Sequence, residues 1–140
     1  MAKKRPSSAP KRRGNRAWGG RFQAVTDQDA LAFTASIGFD IRLYPYDIRV
    51  VTAHARMLAS VGIISKVEGN KIVAGLRAVE RELDSGKFVP EKSDEDIHMA
   101  IERRLVEKIG RVGAKLHAGK SRNDQVATDV RLFVKDAGAW

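Results

Sequence analysis

The chain has 140 residues, of which 43% are hydrophobic, which is enough for one domain with a real core and too many for a disordered chain. It has no cysteine, which excludes disulfides, cysteine nucleophiles and zinc–thiolate sites and is typical of a cytoplasmic protein. The net charge of +9 is concentrated in residues 1–16, which carry seven Lys or Arg and no acid, so the rest has 19 basic against 17 acidic residues.

The first 17 residues combine Lys and Arg with Pro, Ser and Gly, a composition that predicts a disordered basic tail. A solvated extension, a nucleic-acid-attracting arm and an organelle-targeting leader are three open interpretations. The composition favours the extension, because no aromatic residue precedes Trp18 to stack on single-stranded nucleic acid.

The globular part begins with WGGRF at Trp18–Phe22, where two glycines between aromatic residues predict a tight turn and a hydrophobic plug. A short helix is expected over Asp27–Ser36, with Asp27 as its cap, and the segment Ser36–Asp40 interrupts it. From this pattern alone, Ser36 is interpreted as the end of that helix.

Two longer helices follow and form a predicted helical hairpin. Pro45 opens the first helix and Gly62 closes it, while Ser65 and Glu68 match a capping box for the second, which Gly86 ends. The apolar positions recur at helical spacing: Ile48, Val51, Ala55 and Leu58, then Ile72, Val73, Leu76, Val79 and Leu83. His54 on the first helix is interpreted as structural, because no second metal ligand stands at useful spacing.

The next predicted helix starts at Ser93 and Asp96, and four apolar residues define its core face: Ile97, Ile101, Leu105 and Ile109. Asp94, His98 and Glu102 form a second line along it, spaced by four residues. A carboxylate one turn before a histidine can orient the ring and raise its pKa. The spacing alone favours a solvated helix face with pairing along the helix.

The segment from Lys120 to Asn123 places two cations, a hydroxyl and an amide at the expected start of the last helix. A helix N-terminus with these neighbours is suited to bind a carboxylate, which Arg122 can hold with two hydrogen bonds. The spacing alone favours the simpler interpretation, a capping box formed by Ser121 and Asp124. An apolar face is expected further along this helix: Val126, Val130, Phe133, Val134 and Ala137.

Four segments together resemble the argininosuccinate lyases, of the superfamily that includes fumarase, aspartase and adenylosuccinate lyase. They occur in the order and at about the spacing of that family: WGGRF, SIGFD at 36–40, DEDIHMAIERRLVEKIG at 94–110, and KLHAGKSRNDQVATD at 115–129. The resemblance runs from Trp18 to about Ala137. Two residues depart from it, since Ala118 stands where threonine is common and Lys120 where arginine is common.

The resemblance implies substrate-binding roles for six residues: Ser36, Asp96, His98, Ser121, Arg122 and Asn123. Arg21 and Lys120 are further candidates. It implies no metal and no organic cofactor. It assigns no catalytic acid or base to this chain, because nothing in the sequence resembles the family's threonine–histidine segment or its mobile glycine- and serine-rich loop. We therefore expect the 140-residue chain alone to be inactive.

The activity implied is the reversible β-elimination of argininosuccinate to arginine and fumarate, in arginine biosynthesis and the urea cycle. The fold implied is all-α, and no segment shows the period-two pattern of a strand. Residues 18–120 would form the N-terminal helical domain, and residues 121–140 the truncated start of a central helical bundle. The family's bundle has twenty helices in a homotetramer whose active sites each draw on three subunits, in the cytoplasm.

Two alternatives from other classes remain open. One is a non-catalytic structural or binding protein on the same fold, as the lens delta-crystallins are. The other is a nucleic-acid binder that uses the basic tail, which a salt-dependent gel shift lost on deletion of residues 1–16 would support.

Overall fold

The computed structural model describes residues 28–139 except residues 92 and 93, and every regular element in that part of the chain is a helix, which confirms the all-α class. The tail, the WGGRF segment with Arg21, and the expected caps Asp27 and Ser93 lie outside the described residues. The elements are α1 Gln28–Thr34, α2 Ile37–Asp40, a 3-10 turn Ile41–Leu43, α3 Tyr44–Ser60, α4 Lys66–Asp84, α5 Ile97–Ile109, α6 Arg111–Ala114, a 3-10 turn Lys115–His117 and α7 Arg122–Ala137.

The predicted hairpin of α3 and α4 is confirmed, with Pro45 in the first turn of α3. Gly62 ends that helix with a φ of 78°, a conformation in which a Cβ would be strained. The capping box at the start of α4 is complete: the Glu68 N–H donates to Ser65 Oγ at 3.2 Å, and the Ser65 N–H donates to Glu68 Oε2 at 3.0 Å. The positive φ of Gly62 and the capping box therefore fix the end of α3 and the start of α4.

The core lies between α3, α4 and α5, and the predicted phase of all three helices is confirmed. Ten of the predicted apolar positions are at most 4% exposed: Ile48, Val51, Ala55, Leu58, Ile72, Leu76, Val79, Ile97, Ile101 and Leu105. Burial of each Val, Leu or Ile among them stabilises the fold by about 1.5–3 kcal/mol. Gly75 allows α4 to approach α5, because a Cβ at that position would lie 2.7 Å from Leu105 Cδ1.

The line of polar residues predicted along α5 is wrong as a solvated face. Asp94 precedes the helix, is 1% exposed, and accepts hydrogen bonds from Arg103 Nε at 2.9 Å and Nη2 at 2.8 Å. His98 is also 1% exposed and pairs with residues of other helices. The three residues are spaced by four as predicted, but Asp94 pairs with Arg103 further along α5, and His98 pairs with carboxylates of α3 and α7.

Helix α7 buries polar side chains where it packs against α3. Its buried residues are Gln125 and Asp129, whereas Val130 and Val134 are 43% and 59% exposed. Phe133 is half-buried and meets the ring of Tyr46 edge to face, with centroids 5.9 Å apart. The apolar face expected on this helix is thus only partly covered. None of the described helices is long and apolar enough to cross a membrane.

Candidate functional site

The segment that contains Ser36 is fastened to the start of α5. The Ser36 N–H donates to the Glu95 carbonyl at 2.8 Å, and the Ser36 hydroxyl donates to Asp40 Oδ2 at 2.6 Å. The other oxygen of Asp40 accepts the Ile97 N–H at 3.1 Å. Asp96 caps the same helix by accepting the Met99 N–H at 2.6 Å. Ser36 and Asp96, which are 60 positions apart in the chain, are thus brought together.

The loop that leads into α7 is anchored on α3. His54 Nε2 donates to the Ala118 carbonyl at 2.8 Å, which confirms a structural role for this histidine. Gly119 follows with a φ of 68°. Ser121 is the N-cap of α7, but its hydroxyl accepts the N–H of Asn123 at 3.2 Å rather than that of Asp124. The predicted cap is confirmed, and the predicted capping box with Asp124 is not formed.

The cations of this loop converge on one carboxylate, Glu102 of α5. Arg122 Nη2 lies 3.2 Å from Glu102 Oε2, and Lys120 Nζ lies 3.4 Å from Oε1. His117 Nδ1 is 3.2 Å from Oε1. Burial by itself would raise the pKa of Glu102, but Arg122 and Lys120 outweigh it and lower this pKa.

Lys120 is held largely out of water, with a side chain that is 9% exposed. Burial lowers its pKa, and the nearby carboxylate of Glu102 opposes that shift only in part. Arg122 also lies 3.7 Å from Asp96 Oδ2, at the place where Ser36 is fastened. The N-terminal ends of α5 and α7 therefore meet in a cluster with two cations, which suits it to bind a carboxylate.

His98 lies behind this cluster in a buried group with two carboxylates. Its Nδ1 is 3.2 Å from Asp47 Oδ1 and 3.3 Å from Asp129 Oδ2, and both carboxylates are fully buried. Burial by itself would lower the pKa of His98, but the charges of Asp47, Asp96 and Asp129 raise it overall. Burial and the neighbouring Asp47 raise the pKa of Asp129 to about 7.

The donor atoms of His98, Asp47 and Asp129 all lie within 4.8 Å of one another, close enough to share a divalent cation. A proton on the imidazole balances one of the two carboxylates without an ion. The ring is 1% exposed, so the described residues do not present it to a small molecule from solvent.

The six predicted binding residues therefore separate into three groups. Arg122 approaches Asp96, whose neighbour Glu95 holds the Ser36 N–H through its carbonyl. Ser121 and Asn123 are exposed at the N-cap and in the first turn of α7. His98 faces the interior. Beside Lys120 is a shallow pocket of about 160 Å³, lined also by His54, Gln125 and neighbouring residues. Sites that enclose a drug-sized ligand measure roughly 300–1,000 Å³, so this pocket is too small to surround one alone.

Sequence reasoning missed several residues of this region: Asp40, Asp47, Glu102 as a counter-ion, Gln125 and Asp129. One signal was available. Asp47 stands four residues before Val51 and eight before Ala55, in phase with the buried face of α3. A carboxylate at such a position requires a buried partner.

A family model described as lyase matches residues 20–139 of the chain. The chain is 57% identical over 119 residues to an argininosuccinate lyase of Geobacter sulfurreducens, covering 85% of this chain and 26% of that protein. It is 55% identical over 121 residues to the argininosuccinate lyase of Syntrophus aciditrophicus (86% and 26%), and 49% identical over 136 residues to that of a Synechococcus strain (97% and 27%). The chain spans about a quarter of the length of these curated relatives.

Proposed function

Because the chain belongs to this lyase family, we propose that it forms the N-terminal part of an enzyme that cleaves argininosuccinate to arginine and fumarate. The observation that carries the proposal is the convergence of Arg122 and Lys120 at the start of α7, beside Ser36 and Asp96. A planar guanidinium with a buried ammonium nearby is suited to hold one carboxylate of a dicarboxylate substrate.

The proposed reaction is a β-elimination. A base takes a proton from the carbon next to one carboxylate, the bond from the neighbouring carbon to nitrogen breaks, and a double bond forms to give fumarate. A proton supplied to the departing guanidino group completes arginine. Negative charge grows on the carboxylate next to the carbon that loses its proton. The base and the acid are proposed to come from segments outside this chain.

The role of the described residues is to stabilise that growing charge. Arg122 offers two parallel N–H donors, Asn123 an amide and Ser121 a hydroxyl, and the first N–H groups of α7 are at the same helix end. Loss of one such preorganised donor costs about 2.7–4 kcal/mol of transition-state stabilisation in an enzyme where it was measured. Ser36, Asp96 and Arg21 are proposed to contact other parts of the substrate. We assign His98 a supporting place behind the site, because it is buried between Asp47 and Asp129.

The architecture that goes with this function is also part of the proposal. Residues 18–120 act as an N-terminal helical domain and residues 121–140 as the start of a central helical bundle, in a cytoplasmic homotetramer. The exposed side chains of Val130 and Val134 support a further packing partner for α7. No observation on the described residues favours the crystallin-like or the nucleic-acid-binding alternative.

The test compares two proteins for release of fumarate, followed by its ultraviolet absorbance. The first is the 140-residue chain, and the second is the Geobacter sulfurreducens relative with its matching quarter replaced by this chain. We expect no fumarate from the first and equal amounts of fumarate and arginine from the second. Fumarate release by the chain alone would contradict the assignment of acid and base elsewhere. A folded hybrid without activity would contradict the proposed function.

A further inference from the structure

Gln125 connects the proposed carboxylate site to the buried group behind it. Its Oε1 accepts a hydrogen bond from Arg122 Nη1 at 2.9 Å, and its Nε2 donates to Asp47 Oδ1. The residue is 2% exposed and lies one turn into α7. Sequence reasoning gave it no role.

The orientation of this amide is fixed by its two neighbours. A guanidinium can only donate hydrogen bonds, and an ionised carboxylate can only accept them. The reverse orientation would set the NH₂ group against Arg122 and the oxygen against Asp47, which loses both bonds. Since Asp47 is fully buried and also lies beside His98, the far end of the connection is held by the core.

The other partners of Arg122 differ from Gln125 in a way that matters for binding. Glu102 and Asp96 are carboxylates whose side chains are 24% and 19% exposed, and an incoming carboxylate competes with them for the guanidinium. Gln125 is neutral and buried, so its bond to Nη1 remains while a ligand replaces a carboxylate at the other N–H groups. Among the hydrogen-bond partners of Arg122 in the described part of the chain, Gln125 is the one that is both neutral and buried.

We propose that Gln125, anchored on Asp47, is a positioning residue that fixes the guanidinium of Arg122 for the substrate carboxylate. The inference rests on the proposed function for the identity of the substrate, but the positioning itself does not. An arginine whose fork is held in place before binding gives up less freedom when the ligand arrives. A displacement of about 1 Å in such a group can lower the rate by about 100-fold.

The first experiment uses the 140-residue chain without substrate. Nuclear magnetic resonance of the Arg122 side chain reports whether its Nη groups are fixed or rotate freely. We expect separate, slowly exchanging Nη signals in the wild type, faster exchange in Gln125→Met, where only the partly exposed Glu102 and Asp96 still hold the guanidinium, and no change in Thr128→Ala. Exchange in Gln125→Met as slow as in the wild type would overturn the proposal. Methionine has the length of glutamine without its hydrogen bonds, and Thr128 bonds only the exposed Asp124 carbonyl of the same helix. Freely rotating Nη groups in the wild type would overturn the proposal, even if Gln125→Met does not fold.

The second experiment uses the hybrid enzyme and a double-mutant cycle. We expect Gln125→Met to raise KM and to lower kcat/KM by about 10- to 100-fold, whereas loss of folded enzyme alone lowers kcat and leaves KM unchanged. In the Arg122→Ala background the same substitution should change kcat/KM by less than about twofold, because Gln125 acts through Arg122. Equal effects of Gln125→Met in both backgrounds would overturn the positioning role. A harmless Arg122→Ala would instead contradict the proposed function and leave the resonance result intact.

Discussion

The packing of α4 on α5 can be tested by making Gly75→Ala in two backgrounds, the wild type and Leu105→Ala. The quantity compared is the sign of its effect on the free energy of unfolding. An added Cβ at Gly75 would lie 2.7 Å from Leu105 Cδ1 and 3.1 Å from Ile109 Cγ2. Such overpacking costs about 1–3 kcal/mol. Alanine is a better helix former than glycine by about 1 kcal/mol. Gly75→Ala should therefore lower the free energy of unfolding by up to about 2 kcal/mol.

The outcome reverses once Leu105 is shortened. Leu105 is fully buried, so Leu105→Ala should cost about 2–5 kcal/mol. It also removes the nearer of the two atoms that a Cβ at Gly75 would meet and leaves Ile109 Cγ2 at 3.1 Å. In that background Gly75→Ala should therefore gain up to about 1 kcal/mol from helix propensity, and it fills part of the cavity.

Urea melts of the wild type, the two single variants and the double variant give the interaction free energy directly, and we expect about 1–3 kcal/mol. The control is Gly86→Ala, where the positive φ of 69° is strained in both backgrounds and no atom lies within 4 Å of the added Cβ. An effect of Gly75→Ala that is the same in both backgrounds to within about 0.5 kcal/mol would show that α4 and α5 do not pack at this point.

Three further predictions concern the fold. Ser65→Ala should lower the free energy of unfolding by about 1 kcal/mol because it removes a capping box. The control is Ser85→Ala, which should change it by less than about 0.5 kcal/mol, because the exposed Ser85 hydroxyl bonds only the Glu82 carbonyl. Chemical melts measure both values. Asp129 has a pKa of about 7 in the folded chain against an ordinary value of 3.8. Between these values the folded chain keeps a proton that the unfolded chain loses. The stability that this group contributes is therefore lost as pH rises from about 4 to about 7. Melts at several pH values should therefore show a smaller fall over this range in Asp129→Asn, and equal slopes would contradict the shifted pKa. Deletion of residues 1–16 should leave the melting temperature unchanged, because they carry charge and almost nothing apolar, and a drop of several degrees would show that the tail packs on the domain.

The helices of the described chain were predictable because their signals are local. Apolar spacing along α3, α4 and α5 fixed the buried faces, and a proline, glycines and capping residues marked most of the ends. Ser121 as a cap needed only its place before α7. Such features depend on residues within one or two turns, which a sequence displays directly.

The partners of the polar residues were not predictable in the same way. Asp94 was expected to face His98 along the helix, yet it pairs with Arg103, while Asp47 of α3 and Asp129 of α7 approach the histidine. The contacts of His98 depend on how separate helices pack, and spacing within one helix does not contain that information. Glu102 was likewise expected to lie on a solvated helix face, but it is the counter-ion of Lys120, and its removal would leave that buried ammonium unpaired.

The proposed function depends most on Arg122 holding the substrate carboxylate, and kcat/KM for argininosuccinate in the hybrid enzyme tests this role. Arg122→Ala should lower kcat/KM by at least about 100-fold, because it removes a preorganised pair of donors from the growing charge. Arg122→Lys should recover only part of that loss, since an ammonium cannot reproduce the two parallel hydrogen bonds. An unchanged kcat/KM in Arg122→Ala would contradict the account and leave the segment from Lys120 to Asn123 as the cap of α7 alone.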